Sequence, residues 1–157
     1  MAFPHPFPTE HWPCSALECE GLEFDWFCAD VNGELAVFTS AGQGFIPSSV
    51  FEAGIHAYNE FIRCIASRTH CEAQLVTRES GSFRDWKLLA EHGLYAFDFQ
   101  DVHRTGSEQK FCYDLIYRPS TPALASELPE LLQRQLPCVA TAFAESPLFP
   151  LSDLLHA

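Results

Sequence analysis

One stretch restricts the fold more than any other: Glu23 to Pro47, EFDWFCADVNGELAVFTSAGQGFIP. Between Glu23 and Asp30, Phe24, Trp26 and Cys28 alternate with Asp25, Phe27 and Ala29, the period-two pattern of a strand with an apolar face. Asn32-Gly33 follows and predicts a tight turn, because glycine and asparagine tolerate the positive φ that hairpin turns require. Glu34–Ser40 returns as a second strand, with Leu35, Val37 and Thr39 on one side and Ala36 and Phe38 on the other. Gly42 and Gly44 then carry the chain out to Pro47. A β-hairpin with a glycine-rich exit is the predicted opening of the fold.

The rest of the chain supplies layers to cover that hairpin. Ser48 or Ser49 is placed to cap a helix, with Glu52 completing a capping box, and Phe51, Ile55, Tyr58, Ile62 and Ile65 form one apolar face to about Arg68. Cys71–Thr77 is a candidate short strand. Ser82 and Asp85 suggest a second capping box, with Phe83, Trp86, Leu89 and Ala90 on the buried face and Gly93 as the stop. Leu94–Gln100 and Phe111–Arg118 alternate as strands across the polar loop Asp101–Gln109. Ser126–Gln135 is expected as a short helix holding Pro129 in its first turn. Pro137–Ala144 is expected as an edge strand, and Leu154-Leu155 as a terminal turn. The predicted class is α+β: one domain over 1–157, a mainly antiparallel sheet with two or three helices on one side. Residues 1–13, with four prolines among Phe3, Phe7 and Trp12, should lie as an extended arm on the body.

At 157 residues with fourteen Phe, the chain can bury roughly two-thirds of its unfolded surface. No run of 18 apolar residues is present, so no membrane span is expected, and the N-terminus lacks the basic and apolar regions of an export signal. The odd count of seven Cys, several inside apolar periodic runs, fits reduced thiols in a cytoplasmic protein better than a disulfide framework.

Charge is the strongest functional signal. Residues 1–62 carry nine Asp or Glu and no Lys or Arg, within a chain of net charge −12. Binding nucleic acid or an anionic membrane needs a basic stripe, so neither is expected. Glu18, Glu20, Glu23, Asp25, Asp30 and Glu34 fall within seventeen residues and form the candidate partner-binding surface. Asp30 and Glu34 flank the turn and should be exposed, with Trp12 and Phe45 nearby as candidate aromatic anchors. A basic protein partner would suit such a surface; the blander reading is that the acids keep the chain soluble.

Catalytic and metal chemistry have thinner support. His11-x2-Cys14-x4-Cys19 and Cys64-x5-His70-Cys71 match no common zinc spacing, so neither metal nor cofactor is expected. Cys28 falls on an apolar strand face, more suited to core than to nucleophile. Gly42-x-Gly44 is half of a phosphate loop without a neighbouring Lys. Glu23 with Asp25, and Asp98 and Gln100 with Asp114 opposite, are carboxylate pairs of the kind that ordinarily line a solvated sheet face. No catalytic residue is assigned.

Asp25-Trp26-Phe27, Asp30, Gly33, Ala36, Phe38, Ala41-Gly42, Gly44 and Pro47 resemble the N-terminal signature of bacterial polymorphic-toxin immunity-type proteins. The likeness covers about 25 residues closely and the two later strands loosely. It implies a small cytosolic protein that binds a cognate toxin domain, a basic nuclease being the best match to the charge, without chemistry of its own. The alternatives from the residues are a small enzyme or ligand-binding protein with a Cys/His pocket, and a homo-oligomeric structural subunit.

Overall fold

A computed structural model describes residues 11–76, 83–99, 111–145 and 148–150. Residues 1–10 of the expected arm, Ser82 of the second capping box, the Asp101–Gln109 loop and the Leu154-Leu155 turn lie outside the described residues. The fold is α+β, built on a six-stranded sheet.

The hairpin forms as its alternation dictates: β1 (Asp25–Ala29) pairs antiparallel with β2 (Leu35–Thr39). Its turn is organised differently from a two-residue Asn-Gly turn. Gly33 N–H donates to the Asp30 carbonyl at 2.9 Å, and Gly33 alone in the turn takes a positive φ, 77°. That is the type I turn with a following left-handed glycine seen in three-residue loops.

After β2 the chain crosses through α1 (Ser48–Ala66), β3 (Ala73–Leu75) and α2 (Arg84–Glu91). It then returns as β4 (Tyr95–Phe99), which lies parallel to β2. β5 (Cys112–Pro119) runs antiparallel to β4, and its outer edge takes β3 at one end and β6 (Leu148–Pro150) at the other. The sheet is thus mainly antiparallel, with one parallel pair at its centre. α3 (Glu130–Gln135) packs on α1.

The helices cover one face. There Phe27, Val37 and Ala96 meet Phe61, Ile62 and Ile65 of α1, Leu89 of α2 and Leu132 of α3. The opposite face is equally dry: Trp26 stacks on Phe38 at 4.6 Å, and Phe38 on Phe97 at 4.6 Å. Cys19, Ile46, Val139 and Phe143, from irregular segments, close over this aromatic row. Burial on both faces explains how a strand as apolar as LAVFT can sit at every position below 5% exposure.

Several local expectations change. No serine caps α1; Pro47, with φ −60° and ψ 142°, occupies the cap position and its carbonyl accepts the Val50 N–H. Gly54, at φ 81° and ψ 170°, breaks α1 into two helical pieces, which shifts the apolar face and leaves Ile55 half-buried. The 126–135 segment divides at Pro129: a 3-10 turn spans Ala125–Glu127, and α3 begins only after the proline, which lacks an amide to continue the earlier turn. Residues 137–144 do not form a strand. They touch β1 through one parallel bridge, Ala29 to Cys138, and then turn so that the Phe143 N–H reaches the Asp30 carboxylate. Among the described residues the last strand is β6.

No helix among the described residues is long and apolar enough to cross a membrane.

Candidate functional site

The most accessible chemistry lies in residues 11–23, which the sequence pins to the body at three points. Trp12 donates its indole N–H to the Phe51 carbonyl at 3.1 Å, and its ring meets Phe24 at 5.7 Å and Tyr58 at 5.3 Å. Cys19, at the end of the 3-10 turn Ala16–Cys19, is 4% exposed within the core, and burial pushes its thiol up. Gly21 donates its N–H to the Gly42 carbonyl at 2.8 Å. Gly42 has φ 76°, and a Cβ there would sit 2.9 Å from the Gly21 backbone. A Cβ at Gly44 would collide with the Tyr113 hydroxyl, which accepts from Trp26 Nε1 at 3.2 Å and donates to the Phe45 carbonyl at 2.9 Å. The Gly42-x-Gly44 loop is therefore a packing joint against Gly21 and Tyr113.

Between these pins the side chains face outward. Leu17 is 80% exposed and Leu22 62%, interleaved with exposed Glu18, Glu20 and Glu23. Glu18 accepts the Cys14 N–H at 3.3 Å and approaches His11 at 3.4 Å. An acidic ridge with two bare leucines results.

The other three candidate acids turn inward, and the expectation that Asp30 and Glu34 are exposed is corrected. Asp30 is 2% exposed: Oδ1 accepts the N–H groups of Asn32 and Glu34, and Oδ2 that of Phe143, each at 2.9 Å. Its carboxylate ties the hairpin turn to a segment 113 residues away. Glu34 is half-buried; burial, then the neighbouring Glu34 carboxylate, push the Tyr95 phenol up to about 12. Asp25 is half-buried with its carboxyl enclosed, accepting the Thr39 hydroxyl at 2.7 Å. Burial raises it to about 6, opposed by the Thr39 hydrogen bond and reinforced by Glu23 and Asp85.

Asp25 also heads a row that crosses four strands in register: Asp25 opposite Thr39, Thr39 opposite Asp98, Asp98 opposite Asp114. Asp98 and Asp114 do face each other as predicted, while Gln100 lies outside the described residues. Thr39 as the link is invisible in sequence, because it depends on the parallel β2–β4 pairing. Among the described residues no set of three or more His, Cys, Asp or Glu is arranged to hold a metal ion.

Cys64, His70 and Cys71 do converge, on a polar cavity of about 580 Å³ that Arg68 and Thr121 also line. Arg68 is paired with Glu127 and donates Nε–H to the His92 carbonyl at 3.1 Å. The His70 and His92 rings lie 4.2 Å apart; burial first, then His70, lower the His92 imidazole. The Cys71 thiol donates to the Ala90 carbonyl at 3.4 Å. Burial, then Glu60, raise the Cys64 thiol. A thiol held protonated is a weak nucleophile. Cys28, fully buried beside Trp26, is raised well above the ordinary range by burial and is core, as its alternation predicts.

One feature has no signal in the sequence. An open groove of about 630 Å³ runs beside the ridge, lined by Leu17, Cys19, Glu20, Ile46, Phe99 and Phe111 among others. Its walls come from three distant segments, and no local pattern announces them.

Comparison with protein families, with characterised proteins and with solved structures finds no match to this chain.

Proposed function

We propose that this protein is a cytosolic immunity-type inhibitor that binds a basic bacterial toxin domain stoichiometrically through the ridge at residues 14–23. The reading rests on one observation: Glu18, Glu20 and Glu23 stand exposed on a segment that Trp12, Cys19 and Gly21 fix to the core. A rigid surface loses little conformational entropy on binding, and its negative field speeds encounter with a cationic cleft. The first 62 residues hold no Lys or Arg to offset that field. The likeness of the Asp25–Pro47 signature to immunity-type proteins supports the same reading, and a nuclease, whose substrate cleft is basic, is the toxin class that fits the charge.

The direct test is co-purification with the product of the neighbouring gene, followed by a toxicity assay. A one-to-one complex that protects cells and weakens with salt is the expected result. No complex at micromolar concentration, or no protection, removes the reading. The Cys/His cavity carries the alternative, a ligand-binding protein or enzyme. Turnover or ligand binding abolished by Cys71→Ser and His70→Ala, with the ridge intact, would establish it.

A further inference from the structure

We infer that the groove beside the ridge receives one apolar side chain from a basic segment of the partner protein. This deepens the reading of the ridge as the partner surface and rests on it.

The groove has a dry floor and bare walls. Cys19, Ile46 and Phe99 on the floor are 4%, 3% and 5% exposed. Leu17 and Phe111 at the rim are 80% and 58% exposed. Large apolar side chains left in water beside a cavity are the usual mark of a surface that another molecule covers. Phe111 adds a second sign. Its backbone sits at φ 60°, a region that bulky side chains avoid, so the chain accepts local strain where this ring reaches the rim.

The charge around the groove selects the occupant. Glu20 lines it, Glu18 and Glu23 stand on the same segment, and among the described lining residues none is Lys or Arg. An acidic segment would be repelled, and a neutral apolar one would leave the carboxylates without partners. A segment with Lys or Arg flanking a Phe or Leu satisfies both parts: the apolar side chain fills the groove while the cations meet the rim. The ridge carboxylates alone, acting only through charge, would attract any polycation. The groove converts that general attraction into a preference.

The test uses the full chain and three twelve-residue peptides: a Lys/Ser peptide with one central Phe, the same peptide with Phe replaced by Ser, and a Glu/Ser peptide with the Phe kept. In amide-resolved NMR titrations, the first should shift the resonances of Leu17, Glu20, Gln43 and Gly44. The other two should bind at least tenfold more weakly. Leu17→Asp and Phe111→Asn, the latter because Asn tolerates positive φ, should each weaken the first peptide about tenfold without moving the melting temperature. Equal binding of the Phe and Ser peptides, or shifts centred elsewhere, would overturn the inference. So would a drop of several degrees in the melting temperature of Leu17→Asp, which would mean that the chain itself fills the groove. A dimer dissociated by Leu17→Asp would assign the groove to a second copy and overturn it equally. Neutralisation of a toxin undiminished in both variants would remove this inference and leave the proposed function standing. Peptide discrimination with no toxin neutralised would do the reverse.

Discussion

The acidic half of the molecule contains two kinds of acid that composition cannot separate. Glu18, Glu20 and Glu23 project into water, whereas Asp25, Asp30 and Glu34, a few residues later, have turned inward. The difference is one of hydrogen-bond supply. Asp30 faces three backbone N–H donors and is held by them; Asp25 has one hydroxyl and a desolvated surround. The ridge acids have little but solvent. A charged side chain can be interior where donors meet it, and its contribution to stability is set by their number. The inward acids build the hairpin's environment, and the outward ones are left to act on something else.

Removing the best-held inward acid should cost the most. Asp30→Ala leaves three backbone donors without their carboxylate, and it cuts the tie between the turn and Phe143. Loss of about 3–4 kcal/mol is expected in urea unfolding, from the penalty for stranded buried donors. Asp30→Asn, which keeps one acceptor, should recover part of it. A loss below 1 kcal/mol in Asp30→Ala would mean that inward and outward acids are equivalent, and the contrast would collapse.

Next comes the pin that holds the ridge. Trp12→Ala removes a ring packed on Phe24 and Tyr58 and the indole bond to Phe51. Because Trp12 is only half-buried, about 2–3 kcal/mol is expected, toward the low end for aromatic truncation. Faster amide exchange confined to residues 12–23 would show that the ridge had been released.

Much of this frame was readable from the chain. The alternation of Phe24, Trp26 and Cys28 gave β1 and its dry face, and Gly93 marked the end of α2, where it takes φ 96°. Other features depend on partners that a local reading does not contain. Asp30 beside an Asn-Gly turn looks like solvent-facing punctuation, and only Phe143, 113 positions away, draws it inside. Pro137–Ala144 has a strand's composition, yet its amides are committed to β1 at a single point and to Asp30. The groove is similarly remote from any motif, since Leu17, Ile46, Phe99 and Phe111 meet only after the central parallel pair has formed.

Asp25 sharpens the comparison because its environment works against its charge. Its carboxyl titrates near 6 in the fold and near 3.8 in the unfolded chain. Between those values the native state holds the extra proton, so stability falls as pH rises from about 4 to about 6 and is level above. Asp25→Asn should therefore be more stable than the parent at pH 8, by about 1–2 kcal/mol once the cost of seating an amide is deducted. At pH 4, where the parent's carboxyl is protonated and still accepts from Thr39, that advantage should be gone and the variant should fall slightly below the parent by the cost of seating the amide. Thermal melts at pH 4, 6 and 8 decide the matter. A variant less stable at pH 8 than at pH 4, relative to the parent, would mean that the Asp25 anion has a stabilising partner, as Asp30 does.

The smallest effect on stability should come from the ridge, and this is where function and fold separate. Glu18, Glu20 and Glu23 are exposed, and among the described residues their polar contacts are the Cys14 amide and His11, both at Glu18. Contacts of that kind contribute little in water. Converting all three to Gln should change unfolding free energy by no more than about 0.5 kcal/mol. It should nevertheless slow association with a basic toxin domain roughly tenfold at low salt, and flatten the dependence of that rate on ionic strength. The pairing of the two measurements carries the argument: stability unmoved with association slowed assigns these acids to a partner. Stability and association both unmoved would return them to the role of keeping an acidic surface soluble.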